Sequence, residues 1–227
     1  MPNRYDIGDS PSPISSEVVE LLSRCETATI GHWRQWGFCD RRIQSVLPGR
    51  TVVGRAITVA LPGPCSTLLH YAIDAIAHGD ILIVDRLGDD RYACWGGGVS
   101  IAVKTAGGIA GVIDGPCTDI DEIAHYDLPV WSRGCAPITT GKHDLGGRLN
   151  RPVSVGGAVV HPGDYVLCDG SGVLVLPPHE AEAEARRALE VQEKGAISRQ
   201  RVIDGTPMSE VYGARAVVER ALAEGQA

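Results

Sequence analysis

Residues 81–121, ILIVDRLGDDRYACWGGGVSIAVKTAGGIAGVIDGPCTDID, constrain the fold more than any other part of the chain. An apolar run, Ile81–Val84, ends on Asp85. A charged loop follows and closes in Trp95-Gly96-Gly97-Gly98. From there Val99, Ala102, Val103 and Ala106 recur at spacings of three and four, the period of a helix with one apolar face. Gly107-Gly108 stops that helix, and a second apolar run, Ile109–Ile113, ends on Asp114-Gly115 before another helical pattern near Thr118-Asp119. The order is strand, glycine loop, helix, strand, polar loop, helix, as in a parallel α/β sheet. Both loops then fall at carboxyl ends of strands, where open α/β sheets bind ligands.

Backbone chemistry gives those loops a use. The first amides of a helix lack partners inside it and carry the positive end of its dipole. Glycines let a ligand approach that backbone closely. Gly96, Gly97, Gly98 and Val99 therefore read as a cradle for a carboxylate or phosphate. Asp114, Thr118 and Asp119 stand at the neighbouring strand end. The competing reading is a tight turn and nothing more.

The rest of the chain divides into 1–13, a polar, proline-containing loose arm; 14–205, the α/β domain; and 206–227, a C-terminal helix. Ile14–Arg24 and Ala28–Gly37 read as helices, the second carrying His32. Thr51–Ala60 is β-branched and reads as a strand, and Ser66–Ala77 as a helix. His70 and Asp74 lie four apart on that helix, and a solvated face explains them better than a metal pair. Leu128–Arg133 is a further strand, and Ala136–Asn150, with Thr139, Thr140, Lys142 and His143, is irregular. Pro152–Val155, Ala158–Val160, Tyr165–Cys168 and Val173–Leu176 form a hairpin meander resembling swivelling phosphohistidine domains. His161 precedes Pro162 in a turn instead of opening a helix, which argues against a phosphohistidine. Pro178–Gly195 and about Pro207–Ala223 read as amphipathic helices, a C-terminal helical arm.

The formal net charge of -7 argues against nonspecific nucleic-acid binding and against an anionic membrane surface. No run of 18 apolar residues is present, so no membrane span is expected. The 7 cysteines form no CxxC and are odd in number, as in a reduced cytoplasmic protein. Nucleophile-elbow, zincin and phosphate-loop motifs are all missing. What remains is an anion cradle beside acidic residues. A divalent ion held by few carboxylates and several waters fits it, which points to Mg2+ or Mn2+. Bridging a 2-oxo acid, such an ion would stabilise an enolate formed by carbon–carbon cleavage.

WGG…AVKTAGGIAGVIDGPCTD resembles the core of the RraA-like family, which includes class II 4-hydroxy-4-methyl-2-oxoglutarate aldolases and regulators of ribonuclease E. The likeness continues at Val53–Val59, at Pro152–Asp164 and at Asp169–Pro177, over about residues 15–205. It implies a mixed β-sheet core layered with helices, with trimers or dimers of trimers carrying sites between subunits. It also implies cleavage of a small carboxylate substrate to pyruvate, or decarboxylation of oxaloacetate, with Asp119 as the metal ligand. It implies as well that a glutamate of the C-terminal helix, Glu190 or Glu193, approaches a neighbouring subunit's site. Three positions depart from the family. Thr118 stands where the aldolases have arginine, Gly97 where they often have an acidic residue, and His32 where aspartate is usual. Arg86 or Arg91 could restore the lost cation and Asp85 or Asp89 the lost carboxylate, on nearness to the glycine turn alone. Thr118 could instead donate a hydroxyl to a different substrate. The expectation is a metal-dependent lyase, with a non-catalytic regulator, or a hydratase or isomerase on the same scaffold, as the alternatives.

Overall fold

In the computed structural model, which describes residues 3–225, a nine-stranded mixed sheet carries the chain. Its elements run β1 (Tyr5–Ile7), α1 (Ser16–Ser23), α2 (Thr27–Ile30), β2 (Gln44–Ser45), β3 (Val52–Ala60), α3 (Thr67–Ala72), β4 (Asp80–Asp85), α4 (Gly97–Ala106), β5 (Ala110–Ile113), α5 (Ile120–Tyr126), β6 (Val130–Ser132) and β7 (Gly147–Leu149). They continue with β8 (Val153–Val155), β9 (Ala158–Val160), β10 (Tyr165–Cys168), β11 (Val173–Leu176), α6 (Pro178–Ile203), α7 (Met208–Val211) and α8 (Ala214–Glu224).

The strands line up as β1-β7-β3-β4-β5-β6-β2, with the β10–β11 hairpin attached to β3. β3, β4, β5 and β6 are parallel to one another. Each is joined to the next across a helix, as the alternating apolar runs and helical patterns predict. β4 is buried along its whole length, which is why it reads as an unbroken apolar run and not an alternating one. β3 divides its second edge: Val52–Arg55 pair antiparallel with β10, and Val59–Ala60 pair antiparallel with β7.

Side chains alternate across the sheet, so three packed layers form. Ile57, Val59, Leu82 and Val84 face α3 and α4, together with Trp95 and Ile123. Ala56, Ala60, Ile81, Ile83 and Val112 face the other way, against Trp131 and the small β8–β9 sheet. β10 and β11 pack on α1, α2 and α6 through Leu167, Leu174, Leu22, Ala181, Ala185 and Ala188. Alanines at 181, 185 and 188 let α6 lie close to the strands. The expected layering of a mixed sheet with helices is what is observed.

Several boundaries differ from the pattern in the sequence. Within the supposed loose arm, Tyr5–Ile7 pairs in parallel with β7, and Tyr5 Oη donates to Asp144 Oδ1 at 2.7 Å. The second helix stops at Ile30, and Arg34 turns inward to Glu180 (2.6 Å) and Glu184 (3.1 Å) of α6. α6 runs on to Ile203, past Gly195. The final helix is two, broken at Tyr212-Gly213, where Gly213 has φ 76. The irregular segment before Asn150 hides β7. No helix among the described residues is long and apolar enough to cross a membrane.

One buried ion pair ties the bottom of the sheet. Arg55 of β3 donates from Nε to Asp80 Oδ1 (2.8 Å) and from Nη2 to Asp80 Oδ2 (3.0 Å), and Asp80 is 1% exposed. Ala77 N donates to the same carboxylate at 2.7 Å. Asp80→Ala would strand a buried guanidinium. The expected loss is about 3–5 kcal/mol of folding free energy, read as a lower urea midpoint with an unchanged m-value.

Candidate active site

A cavity of about 570 Å³ opens beside the start of α4. Gly96, Gly98 and Val99 form one wall, Thr118 and Asp119 a second, Ser66, His70 and Asp74 a third, and Thr139–Lys142 a fourth. Cys94 also lines it, and burial pushes its thiol up to about 11, so it stands as a neutral thiol.

The α4 wall is built from backbone. Gly96 is extended and caps the helix, and its carbonyl accepts from Ser100 N and Ser100 Oγ, both at 3.0 Å. The Ser100 hydroxyl accepts in turn from Trp95 Nε1 at 2.9 Å. The Trp95 ring packs against Gly111, where a methyl group would sit 2.5 Å from it. A large indole, fixed at both ends, thus holds the loop that starts the helix.

Asp119 begins α5 with φ 54, in the left-handed region that aspartate tolerates better than most side chains. Its carboxylate does not cap its own helix. It reaches across to α4, where Gly97 N donates to Oδ2 at 3.2 Å. Thr118 Oγ1 donates to Oδ1 at 3.2 Å. A methyl group at Gly96 would stand 2.2 Å from Asp119 Oδ2, so this approach needs glycine there. The amides of Gly98 and Val99 have no carbonyl four residues back within the helix and remain donors for a ligand. Around Gly98 the space is open. The expected meeting of the glycine turn with Asp119 therefore occurs within one chain.

Glu122, one turn after Asp119, was not singled out by the sequence pattern. Its Oε2 lies 1.9 Å from where a methyl group on Gly97 would be, and its Cβ 2.5 Å from the same point. A carboxylate from α5 thus occupies the space of a side chain at position 97. Glu122 lies in the first turn of α5, three residues after the Asp119 cap, and that short separation was the available clue.

Four of the proposed site residues lie elsewhere. Asp85 accepts from Leu87 N (2.7 Å) and Ser154 N (3.3 Å), holding a turn and the β8–β9 sheet. Asp89 folds back on its own loop, accepting from Tyr92 N at 2.9 Å. Arg86 is fully buried, donates to the carbonyls of Gly63 and Tyr92, and pairs with Asp89 at 3.5 Å. Arg91 is exposed and stacks over Tyr92 at 5.5 Å. None of these four lines the cavity. Asp114 pairs with Arg133 and accepts from Gly156 N, also outside the cavity.

His70 and Asp74 are exposed, as a solvated face predicts, and also stand on the cavity wall. Lys142 is the one lysine or arginine among the described residues lining it. Its segment lacks periodicity, so nothing in the pattern placed it. His32 is exposed after α2, and Glu190 and Glu193 are exposed on α6; none of the three lines this cavity.

The sequence profile described as RraA-like, Aldolase/RraA, matches residues 25–175. A Halalkalibacterium halodurans protein provisionally named 4-hydroxy-4-methyl-2-oxoglutarate aldolase is 31% identical over 141 residues, 62% of this chain and 67% of that one. An uncharacterised protein of Pseudomonas syringae pv. tomato superposes with TM-score 0.76 at 24% identity, over 91% of this chain and 98% of the other. Streptomyces coelicolor RraAS2, described as an unusual member of the RNase ES inhibitor RraA protein family, superposes with TM-score 0.73 at 24% identity, over 83% and 99%. At that identity the two structures speak for the fold.

The contact at position 97 has a direct test. Gly97→Ala pushes a methyl group into the Glu122 carboxylate and is expected to cost about 1–3 kcal/mol. Adding Glu122→Gly should return most of it. Thermal melts of the two single variants and the double variant measure the coupling.

Proposed function

Because the chain belongs to the RraA-like family, we propose that it is a divalent-metal-dependent carbon–carbon lyase for a small 2-oxo or hydroxy carboxylic acid. The observation that carries this reading is the Asp119 carboxylate at the start of α4, with open cavity beyond it.

The donor set suits a hard, well-hydrated ion. Asp119 and Glu122 crowd Gly96 and Gly97, and neither has a cationic partner among the described residues. No three His, Cys, Asp or Glu side chains among those residues converge as a ligand cage. Zinc is commonly enclosed by three or four such ligands, whereas magnesium takes one or two carboxylates and keeps its waters. Asp119 and Glu122 would hold Mg2+ or Mn2+. Bound there, the ion would polarise the substrate carbonyl and stabilise the negative charge that carbon–carbon cleavage leaves behind.

The protein's own groups do the positioning. Gly98 and Val99 amides, at the positive end of the helix dipole, receive the substrate carboxylate. Lys142 supplies the only formal positive charge on the cavity wall among the described residues and takes the place of the arginine that Thr118 lacks. Thr118 orients the Asp119 carboxylate through its hydroxyl. His70, the one imidazole on the described wall, is the candidate to carry a proton to the product.

A second reading, a protein-binding regulator, draws on the C-terminal arm. Ile197, Ile203, Met208, Tyr212, Val217 and Leu222 are exposed there. This pattern suits contact with another chain, whether a copy or a larger partner.

A metal-supplemented assay of pyruvate release across 2-oxo and 4-hydroxy-2-oxo acids separates the two. Asp119→Ala should lose Mn2+ binding by titration calorimetry and lower turnover by about 100-fold or more. Lys142→Ala should raise KM about tenfold while kcat changes little. Absence of pyruvate release by the metal-supplemented wild type across the panel sinks the lyase reading, and full turnover by Asp119→Ala removes Asp119 from it. A large co-purifying protein retained by that variant supports the regulator.

A further inference from the structure

The strand end that carries Thr118 and Asp119 has a neighbour on its far side that the site does not use. Cys117 N donates to Gly134 O and Ala136 N donates to Cys117 O, both at 2.9 Å. These two bonds flank Cys135 and pair it with Cys117 as in a parallel ladder. Paired residues of adjacent strands lie about 4.8 Å apart and send their side chains to the same face. That spacing falls inside the range of about 4.4–6.8 Å between the Cα atoms of disulfide-bonded cysteines. Both cysteines are free.

The two thiols differ in access. Cys117 is fully buried, with its sulfur 3.2 Å from Ser132 Oγ. Cys135 is exposed and lines a separate surface cavity of about 280 Å³ with Arg42 and Arg133. Only Cys135 is open to an oxidant from solvent, so the first attack belongs to it. An exposed thiol beside a shielded one is the arrangement in which a first oxidation is captured before it goes further.

We propose that Cys117 and Cys135 form a peroxide-oxidisable thiol pair whose disulfide ties the loop bearing Asp119 to the end of β6. The Cys135 sulfur attacks the O–O bond of hydrogen peroxide, giving a sulfenic acid and one water. The Cys117 sulfur then attacks the Cys135 sulfur. The S–O bond breaks, and hydroxide leaves with the Cys117 proton as a second water. Two thiols are oxidised by two electrons in all, and one peroxide is reduced to two waters. The bond closes one residue before Thr118, so it fixes the strand end from which the cavity's acidic wall projects. This chemistry stands whether or not the cavity is a lyase site.

The test uses the whole chain with one equivalent of hydrogen peroxide. Remaining thiols are blocked under denaturing conditions, and the protein is digested without reductant for mass mapping. The expected product is one cross-linked pair joining Cys117 to Cys135, lighter by two hydrogens and reopened by dithiothreitol, with two fewer titratable thiols per chain. Cys117→Ser should leave a Cys135 sulfenic acid that dimedone traps, and Cys94→Ser should leave the cross-link intact. If wild-type Cys135 runs on to sulfinic acid, or bonds to another cysteine or another chain while Cys117 stays alkylatable, the proposal is overturned.

Discussion

The contact between α5 and the first residues of α4 is the constraint on which the cavity depends. Two glycines are required because two carboxylates, from Asp119 and Glu122, occupy the space their side chains would fill. Asp119 gives its oxygen to a foreign helix start and accepts a left-handed backbone to do so. A conformation of that kind costs about 1–3 kcal/mol and persists only where its surroundings hold it. Here the surroundings are the Trp95 indole wedged on Gly111 and the paired strand ends at Cys117. Negative charge gathered at the positive end of a helix is partly compensated by the dipole, and a divalent ion would complete the compensation.

Much of the fold was legible because it is written in local periods. The apolar runs that became β4 and β5 are short, continuous and bounded by Asp and Gly, and α4 between them keeps a helical stripe. The meeting of the glycine turn with Asp119 could be read as well, because parallel sheets bring successive strand ends together. What could not be read depends on partners distant in sequence. β1 and β7 are three-residue strands, too short to show a period, and they become strands only where β7 lies between β1 and β3. Arg34 gave no sign that it would be buried, because the glutamates that balance it lie on α6, about 150 residues away.

The site shows the same division. Nearness in sequence suggested that loop 86–92 would supply charge to the glycine turn. That loop instead folds inward: Asp89 accepts from Tyr92 N, and Arg86 is buried and donates to the carbonyls of Gly63 and Tyr92. The cation on the cavity wall comes from Lys142, far along the chain, and the carboxylate packed on Gly97 comes from Glu122, one helical turn beyond the residue already identified. Motif spacing records where a side chain is attached. It does not record which neighbour's vacant volume that side chain will enter.

β3 takes β4 on one edge and shares the other between β10 and β7. Its antiparallel partners are synthesised about 90–115 residues after it, which at about 5–20 residues per second leaves that edge open for roughly 5–20 s during synthesis. For that interval the central strand of the nascent chain offers unpaired backbone to any passing β-segment, so expression yield is the property most exposed to changes in β3, β7 and β10.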